Sequence, residues 1–504
     1  MEPKEVLSHA EAVFERWRKK TGLFLGPLVF LILYIMPLPS LSPEAHKLLS
    51  VLALVIVYWL TEAIPLPVTA LIGAVANVFL GVAPADEVFS PFANPLIFLF
   101  IGSFILAEAI IYHGLDRRFS FAILSLKSLE KSPLRILFAI GLISASISMW
   151  ISNTAVAAMM LPIAMGLIRT IKDAEGGRHL RDTYSTAVML MVAYGASVGG
   201  IATPIGTPPN LIGIGMIETL AGVKITFLEW MGFALPITVV MFVYLFLMLG
   251  RFNLSFGKTE LRGVREYVKE KGAELGGWKR GEINTAICFF IAVILWVFPS
   301  VVSLFTGSGH AVARFFDARL DAGVVAMFAA TLLFVLPVSF KEREFTMTWE
   351  RAAKIDWGTI LLFGGGLSLG KLMFSTGLAG KFGHGITALT GAEGLWSLTA
   401  IGTFFAIVLS EATSNTAAAS MVIPIVIAIA KEMGVPAVPP ALGACLGASF
   451  GFMLPVSTPP NAIVYGSGLV PILTMAKKGI IFDIGGFVII MASLMVLCPI
   501  FGWV

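Results

Sequence analysis

Charged residues are scarce in this sequence. Asp, Glu, Lys and Arg make up 13% of its 504 residues, about half of the roughly 25% found in soluble domains. Hydrophobic residues make up 57%, and the net charge of +4 gives no indication of a nucleic-acid partner. The composition excludes an ordinary soluble protein and indicates a polytopic helical membrane protein.

Cysteine and histidine are also rare. The three cysteines, Cys288, Cys445 and Cys498, lie far apart within apolar runs, so their spacing excludes a disulfide framework or a cysteine metal site. The six histidines lie at or beyond the ends of the apolar runs. An enzyme acting inside the membrane would need a nucleophile–base pair or a cluster of metal ligands at that depth. The apolar runs contain neither, so we predict that the protein is not an enzyme.

Long apolar runs dominate the rest of the chain, and eleven of them are long enough to span a bilayer. They lie at residues 22–37, 47–64, 66–82, 95–112, 183–217, 231–250, 284–304, 322–338, 357–376, 438–473 and 481–501. Two further apolar stretches, 134–170 and 395–430, each contain Ser-Asn-Thr near the centre. We expect each to fold back as a re-entrant hairpin with the triplet at its tip. The predicted fold class is an all-α polytopic membrane protein with eleven transmembrane helices and two re-entrant hairpins.

The distribution of lysine and arginine supports this threading and orients it. With a cytoplasmic N-terminus and two hairpins that do not cross, the inner segments hold 28 of the 35 Lys and Arg residues, as the positive-inside rule requires. Counting either hairpin as a single crossing would invert every later loop and remove this asymmetry. We therefore predict an extracytoplasmic C-terminus, with hairpin 134–170 entering from the inside and hairpin 395–430 from the outside.

An internal repeat organises the chain. Residues 97–119 align without gaps with residues 360–382, the two Ser-Asn-Thr triplets lie 262 residues apart, and Thr-Pro-Pro-Asn occurs at 207–210 and 458–461. Equivalent points are separated by five predicted spans, an odd number, so the two halves have opposite orientations in the membrane. Such inverted repeats are the architecture of many secondary transporters.

The predicted boundaries follow from the spans and the repeat. They are a cytoplasmic amphipathic helix at 1–21, a first transmembrane helix at 22–46, a first inverted repeat at 47–250, a cytoplasmic linker at 251–283 and a second inverted repeat at 284–504. We interpret the linker, which is rich in charge, as solvated, with contact to lipid headgroups as the alternative.

Polar residues at membrane depth mark the predicted binding site. Each Thr-Pro-Pro-Asn breaks a span because proline cannot continue a helix, and irregular backbone persists in a bilayer only where it lines a site. Each triplet places the N-terminus of a hairpin helix, with its positive dipole end, at the same depth. No Lys or Arg lies in either triplet or break, so an anion there would be bound by neutral donors. These leave the charge of a dianion uncompensated, so we expect a cation such as Na⁺ beside it, bound by hydroxyl and carbonyl oxygens.

Two other kinds of polar residue lie near the predicted site. Ser148 and Ser410 each precede a triplet by one helical turn, which adds a hydroxyl on the same face. Glu411 lies next to Ser410, and we interpret it as a carboxylate satisfied by nearby donors, with a proton relay as the alternative. Glu62 and Glu108 are interpreted as buried partners in helix packing.

These motifs together resemble a known family. The paired Ser-Asn-Thr triplets, Gly-Thr-Pro-Pro-Asn at 206–210, Ser-Thr-Pro-Pro-Asn at 457–461 and Thr-Glu-Ala-Ile-Pro at 61–65 resemble the divalent anion/sodium symporter family, which includes sodium-dependent dicarboxylate and citrate transporters. The resemblance covers nearly the whole chain after the first 20 residues. It implies a homodimer in which each protomer has a scaffold and a transport domain that moves by an elevator mechanism.

The resemblance also implies a set of ligands. One sodium site would use Ser148, Asn153 and the backbone near Gly206, and the other would use Ser410, Asn415 and the backbone at Ser457. The substrate would be bound by Ser152, Asn153, Thr154, Thr207, Ser414, Asn415, Thr416, Thr458 and Pro459, with Ser152 and Ser414 shaping the hairpin tips. Ser410 and Ser457 stand where relatives often have Thr and Ala, and both changes keep an oxygen ligand available.

The predicted function is import of small dianions, C4-dicarboxylates such as succinate, malate and fumarate, coupled to Na⁺. Sodium-independent dicarboxylate exchange and transport of citrate, sulfate or another anion such as arsenite remain alternatives. The expected partners are the dianion, sodium ions, the lipid bilayer and a second copy of the chain. The expected location is the inner or plasma membrane of a prokaryote.

Overall fold

The computed structural model describes residues 9–126, 132–174, 182–251, 262–307, 309–381 and 394–504. Up to residue 251, the α-helices are His9–Ile35, Pro43–Thr61, Leu66–Phe79, Ala85–Phe89, Pro95–His113, Leu115–Leu124, Pro133–Ser148, Asn153–Ala174, Asp182–Gly200, Pro208–Met216 and Phe227–Phe246, with a 3-10 helix Ser90–Ala93 and π-helical turns Ile217–Ala221 and Leu247–Arg251. The later helices are Arg262–Glu274, Arg280–Thr306, Ala311–Arg319, Ala322–Val335, Trp349–Ala352, Trp357–Ser375, Leu395–Ala412, Asn415–Glu432, Val438–Gly447, Pro459–Tyr465 and Ile472–Ile500. One antiparallel ribbon pairs strands Pro337–Ser339 and Glu344–Phe345.

The predicted all-helical, polytopic class is confirmed. Within the described ranges, nine helices are long and apolar enough to cross a membrane, or ten if Ala311–Arg319 and Ala322–Val335, bent by 53°, form one span. Three of the nine belong to the predicted hairpins, and several predicted spans are shorter helices or helices interrupted by a break. The count of eleven crossing helices therefore stays a prediction.

The N-terminal part of the chain differs from the predicted division. Residues 1–8 lie outside the described part, and helix His9–Ile35 runs without interruption across residue 21. Its glycines allow close packing on the second helix, because a Cβ at Gly22 would lie 1.9 Å from Thr61 Oγ1. The second helix begins at Pro43, where Ser42 caps it. The amphipathic start and the apolar continuation thus form one helix, in which Gly22 serves close packing and does not end the helix.

The predicted linker is helical where the structure describes its first part, and one face of that helix packs on the protein. Residues 252–261 lie outside the described ranges, but helix Arg262–Glu274 packs against Asn153–Ala174 and Leu115–Leu124. Val264 and Val268, four residues apart on one face, are buried. Most charged residues of this helix are exposed, as expected of a solvated linker, whereas its few apolar residues share a face that packs on the protein.

Helix starts and breaks position the polar residues. Prolines begin Pro133–Ser148, Pro208–Met216 and Pro459–Tyr465, where the missing N–H group costs no hydrogen bond. Each short helix after Thr-Pro-Pro-Asn packs against the other half of the chain: Pro208–Met216 contacts Asn415–Glu432, and Pro459–Tyr465 contacts Asn153–Ala174. Because each short helix packs against the hairpin helix of the other half, the polar residues of both halves lie close together.

Candidate binding cavity

The first triplet joins two helices that pack against each other. Pro133–Ser148 ends just before Met149, and the chain becomes helical again at Asn153. Ser148 is fully buried, and its Oγ donates to Oδ1 of Asn153 over 2.6 Å. The carbonyl of Met149 accepts a hydrogen bond from the Thr203 hydroxyl. The tip is therefore held by hydroxyl groups from its own half of the chain.

The second triplet has the same local arrangement. Leu395–Ala412 leads into the tip and Asn415–Glu432 leaves it. The buried Ser410 Oγ lies 2.7 Å from Oδ1 of Asn415 and 2.8 Å from the carbonyl oxygen of Ala448. In both tips a serine hydroxyl and an asparagine carbonyl oxygen thus lie side by side, as two oxygens that can face one cation.

The asparagine of each Thr-Pro-Pro-Asn holds its break closed. Asn210 Nδ2 donates to the carbonyls of Gly200, Ile201 and Thr203 at 2.9, 3.3 and 2.7 Å. Asn461 Nδ2 donates in the same way to Gly451 and Leu454, at 2.9 and 3.0 Å. The sequence predicted breaks at these segments but did not predict that the asparagines hold them closed. The asparagine at the end of each Thr-Pro-Pro-Asn motif was the signal that could have indicated this role.

The N-cap positions of the two short helices match closely. Thr207 has φ −145° and ψ 144°, and Thr458 has φ −144° and ψ 146°. Because two prolines follow each threonine, the first turn of each short helix lacks two N–H donors. The hairpin helices that begin at Asn153 and Asn415 have no proline in their first turn and so keep all of their first-turn N–H groups.

Glycines bring the breaks close to the triplets. A Cβ at Gly200 would lie 2.5 Å from Asn153 Oδ1, and a Cβ at Gly451 would lie 3.2 Å from Asn415 Oδ1. A Cβ at Gly206 would lie 2.5 Å from the Gly200 carbonyl oxygen. The absence of side chains at Gly200 and Gly451 lets the backbone there approach the two asparagines.

All nine predicted substrate residues line one cavity of about 630 Å³. The lining also includes Gly206 and Ser457, which were predicted for sodium, whereas Ser148 and Ser410 lie fully buried outside it. In the described part of the chain, no group of three or more His, Cys, Asp or Glu residues is placed to hold a metal ion. A cation here would be bound by the hydroxyl, amide and backbone oxygens.

The cavity also carries charged residues that the motifs did not predict. Lys354 and Asp356 line it, together with Glu62 and Glu108. Within the described residues Lys354 has no ion-pair partner, whereas Asp356 accepts hydrogen bonds from the backbone and hydroxyl of Thr359. These four residues are distant in sequence from the triplets, so no local pattern could indicate that they share a cavity.

The interpretation of Glu62 and Glu108 as buried packing residues is wrong. Each side chain is 31% exposed. Glu62 lies 3.3 Å from Arg18, and Glu108 lies 3.7 Å from Arg351. Both carboxylates border the cavity as members of ion pairs, which makes them part of its wall.

Glu411 is satisfied by nearby donors, as its interpretation expected. Its carboxylate accepts hydrogen bonds from the backbone N–H groups of Phe452 and Met453, at 2.5 and 2.9 Å, and from Ser457 Oγ at 2.7 Å. Asp483 lies buried beside it. Glu411 therefore connects helix Leu395–Ala412, the arm that leads to the second triplet, with the second break.

The chain resembles known proteins in both sequence and fold. The family described as sodium:sulfate symporter transmembrane region matches residues 18–504. The sodium-dependent dicarboxylate transporter SdcS of Staphylococcus saprophyticus is 32% identical over 484 residues, which cover 95% of this chain and 91% of that protein. An uncharacterized transporter of Haemophilus influenzae is 35% identical over 465 residues, with 92% and 93% covered.

Two solved transporter structures share the fold. The YdaH transporter of Alcanivorax borkumensis aligns with a TM-score of 0.55 at 13% identity, covering 97% of this chain and 98% of that one. MtrF of Neisseria gonorrhoeae aligns with a TM-score of 0.54 at 11% identity, covering 92% and 96%. At these identities the likeness concerns the fold alone.

Proposed function

Because this chain belongs to the sodium:sulfate symporters, the divalent anion/sodium symporter family, we propose that it imports small dianions together with Na⁺. The predicted family resemblance is thus confirmed, and so is the prediction that the chain is not an enzyme, since its relatives are transporters. The proposed substrates are C4-dicarboxylates such as succinate, malate and fumarate. The observation that carries this proposal is the single cavity lined by both triplets and both Thr-Pro-Pro-Asn breaks.

The donors in the cavity suit a dianion with accompanying cations. Asn153, Thr154, Asn415 and Thr416 offer amide and hydroxyl groups together with the first N–H groups of two helices, which lack intrahelical acceptors. A carboxylate at each helix N-terminus also gains from the positive dipole end. The name of the SdcS relative, a sodium-dependent dicarboxylate transporter, supports the same substrate class.

We propose that the two cations bind behind the substrate, one at each triplet. Ser148 and Asn153 present oxygens 2.6 Å apart, and Ser410 and Asn415 present oxygens 2.7 Å apart. Backbone oxygens near Gly206 and at Ser457 complete the two sets. Each asparagine then contacts a cation through its carbonyl oxygen and a substrate carboxylate through its NH₂ group. Cation binding thereby orients the donor that the dianion needs, which couples the two ligands.

The charged wall of the cavity supports a proposal for the side on which it opens. Lys354 and Asp356 lie in segment 339–356, which the Lys and Arg distribution assigns to the cytoplasmic side, and Glu62 and Glu108 lie near the cytoplasmic ends of the predicted spans 47–64 and 95–112. We propose that the cavity faces the cytoplasm in this structure, with the N-terminus inside and the C-terminus outside. We further propose inverted repeats, a homodimer and an elevator movement that carries the site to the other side.

Transport by purified protein in proteoliposomes tests this function. Labelled succinate is supplied outside with an inward Na⁺ gradient or with choline, and citrate, sulfate and arsenite are added as competitors. We expect uptake that requires Na⁺ and is inhibited most by unlabelled C4-dicarboxylates. Equal uptake with choline would identify sodium-independent exchange, and strongest competition by citrate or sulfate would move the substrate assignment to that anion.

A further inference from the structure

The end of the first arm of the second hairpin carries a backbone group that needs a donor. Leu395–Ala412 is an α-helix, and the last carbonyls of a helix have no intrahelical partner. The backbone N–H of Thr413 donates to the carbonyl of Leu409 at 2.9 Å. The carbonyl of Ala412, three residues later, takes no part in that bond. A donor that bonds to the carbonyl of Ala412 therefore affects how firmly the tip is held.

That group is a guanidinium from the first helix of the chain. Arg18 Nη1 donates to the carbonyl oxygen of Ala412 over 3.0 Å. The same guanidinium lies 3.0 Å from the Glu15 carboxylate and 3.3 Å from Glu62, and the Arg18 side chain is only 15% exposed. Two carboxylates thus offset its charge while its fork fixes its direction.

Glu62 is itself held in an uncommon conformation. Its φ of 48° lies in the left-handed region, which non-glycine residues seldom adopt. It forms the corner between Pro43–Thr61 and Leu66–Phe79, in the motif Thr-Glu-Ala-Ile-Pro, which the proposed function leaves without a role. Outliers of this kind persist where the surroundings over-determine them and often occur at functional sites.

A second contact ties the tip to the same corner. The Thr413 hydroxyl donates to the carbonyl of Trp59 over 2.8 Å. Arg18 and Trp59 therefore hold two consecutive residues, Ala412 and Thr413, which immediately precede the triplet. The first hairpin is supported differently, because its Met149 carbonyl is bonded by Thr203 from its own half. The position aligned with Thr203 through the two Thr-Pro-Pro-Asn motifs is Leu454, which has no hydroxyl.

We propose that Arg18 is a positioning residue that sets the cation affinity of the second triplet. Its guanidinium holds the carbonyl end of the arm against the Thr-Glu-Ala-Ile-Pro corner, and the arm places the Ser410 hydroxyl beside the Asn415 carbonyl oxygen. Loss of the guanidinium frees this end of the arm and separates the two oxygens, while the first triplet keeps its own support. The proposal rests on the proposed sodium coupling for its role in transport, but the contact itself does not.

The main test compares Arg18→Gln and Arg18→Lys with the parent protein in full-length form. In Arg18→Gln we expect the half-saturating Na⁺ concentration for succinate uptake to rise about tenfold, as loss of a hydrogen bond from a charged donor implies, with the maximal rate little changed. Arg18→Lys keeps the charge but not the fork, so it should recover part of the affinity. Lys224→Gln is the matched control, because it breaks an exposed ion pair with Asp317 outside the cavity. An unchanged half-saturating Na⁺ concentration in Arg18→Gln would overturn the proposal. A maximal rate that falls as much as the affinity for Na⁺ would overturn it as well.

Hydrogen–deuterium exchange provides a readout that does not need transport. In Arg18→Gln, amides of residues 409–416 should exchange faster than in the parent and in Lys224→Gln, whereas amides of residues 149–156 should not change. If the parent protein shows no sodium-dependent uptake, the proposed function fails. The exchange pattern then still decides whether Arg18 holds the second tip in place. Unchanged exchange at 409–416, or an equal increase at both tips, contradicts it.

Discussion

The two hairpin tips are alike where they would touch ligands and unlike where they are supported. In both, a buried serine lies beside the triplet asparagine, at 2.6 Å in the first tip and 2.7 Å in the second. Around the first tip, Thr203 bonds to Met149. Around the second, Arg18 bonds to Ala412 and Glu411 bonds to three donors of the second break.

The difference separates the contacts that the proposed binding chemistry constrains from those that it leaves free to vary. In the proposed site, hydroxyl and amide groups must stay in place to face a cation with their oxygens and a dianion with their O–H and N–H donors, whereas a carbonyl at the tip can be satisfied by any donor within reach. Met149 occupies the position that aligns with Glu411, so the supporting residues have no counterpart across the halves. Substitutions at matched positions in the two halves test whether the tips differ in their support and agree in their ligand contacts.

The largest effect is expected at the triplet asparagines. Asn153→Ala and Asn415→Ala each remove an amide that would contact both a cation and the substrate, so each should abolish succinate uptake while the protein remains folded. Uptake in proteoliposomes measures activity, and size-exclusion chromatography checks folding. Asn94→Ala, which removes an N-cap outside the cavity, is the control. Normal transport by either triplet variant would contradict the site assignment for that half.

Glycine substitutions near the asparagines should reduce uptake to different extents in the two halves. In Gly200→Ala the new methyl group would lie 2.5 Å from Asn153 Oδ1, whereas in Gly451→Ala its nearest contacts are at 2.9 Å, to Thr458, and 3.2 Å, to Asn415. We expect uptake to fall by about 100-fold in Gly200→Ala, the scale of a 1 Å displacement at a site, and less in Gly451→Ala. Gly277→Ala, which meets open space, should have no effect. Equal losses at the two sites would refute this difference.

The asparagines of the breaks should affect stability. Asn210→Ala removes the donor for three carbonyls and Asn461→Ala removes the donor for two. Buried groups left unsatisfied cost about 1–3 kcal/mol, so both variants should unfold at lower temperature, Asn210→Ala more so. Thermal unfolding in detergent measures this, and a greater loss in Asn461→Ala would show that bond number does not determine the effect.

The smallest effect is expected for Thr203→Val. The substitution keeps the shape of the side chain and removes one hydrogen bond to Met149, which should cost about 1 kcal/mol. The control is Thr331→Val, at an exposed helical position where the hydroxyl bonds only locally. Unfolding with Na⁺ and with choline should show a reduced stabilisation by Na⁺ in Thr203→Val alone. A shift equal to that of the control would mean that the first tip does not need this support.

The triplets and breaks could be recognised from the sequence because polar residues and paired prolines contrast with the apolar runs around them. Their pairing in the two halves also indicated that they would meet, and all nine predicted substrate residues line the same cavity. The buried serines could be found by helical spacing alone. These predictions depend on local spacing and on repetition, which a linear sequence displays.

Other features required the tertiary structure because they depend on residues that are distant in the chain. Arg18 contacts Ala412 across 394 residues, and Glu62, Glu108 and Lys354 meet only at the wall of the cavity. No periodicity indicates such contacts, since many partners at that distance are compatible with the same apolar pattern. The residue types and their order thus specify what the cavity can bind, whereas helix packing selects which charges surround it and which donor holds each tip.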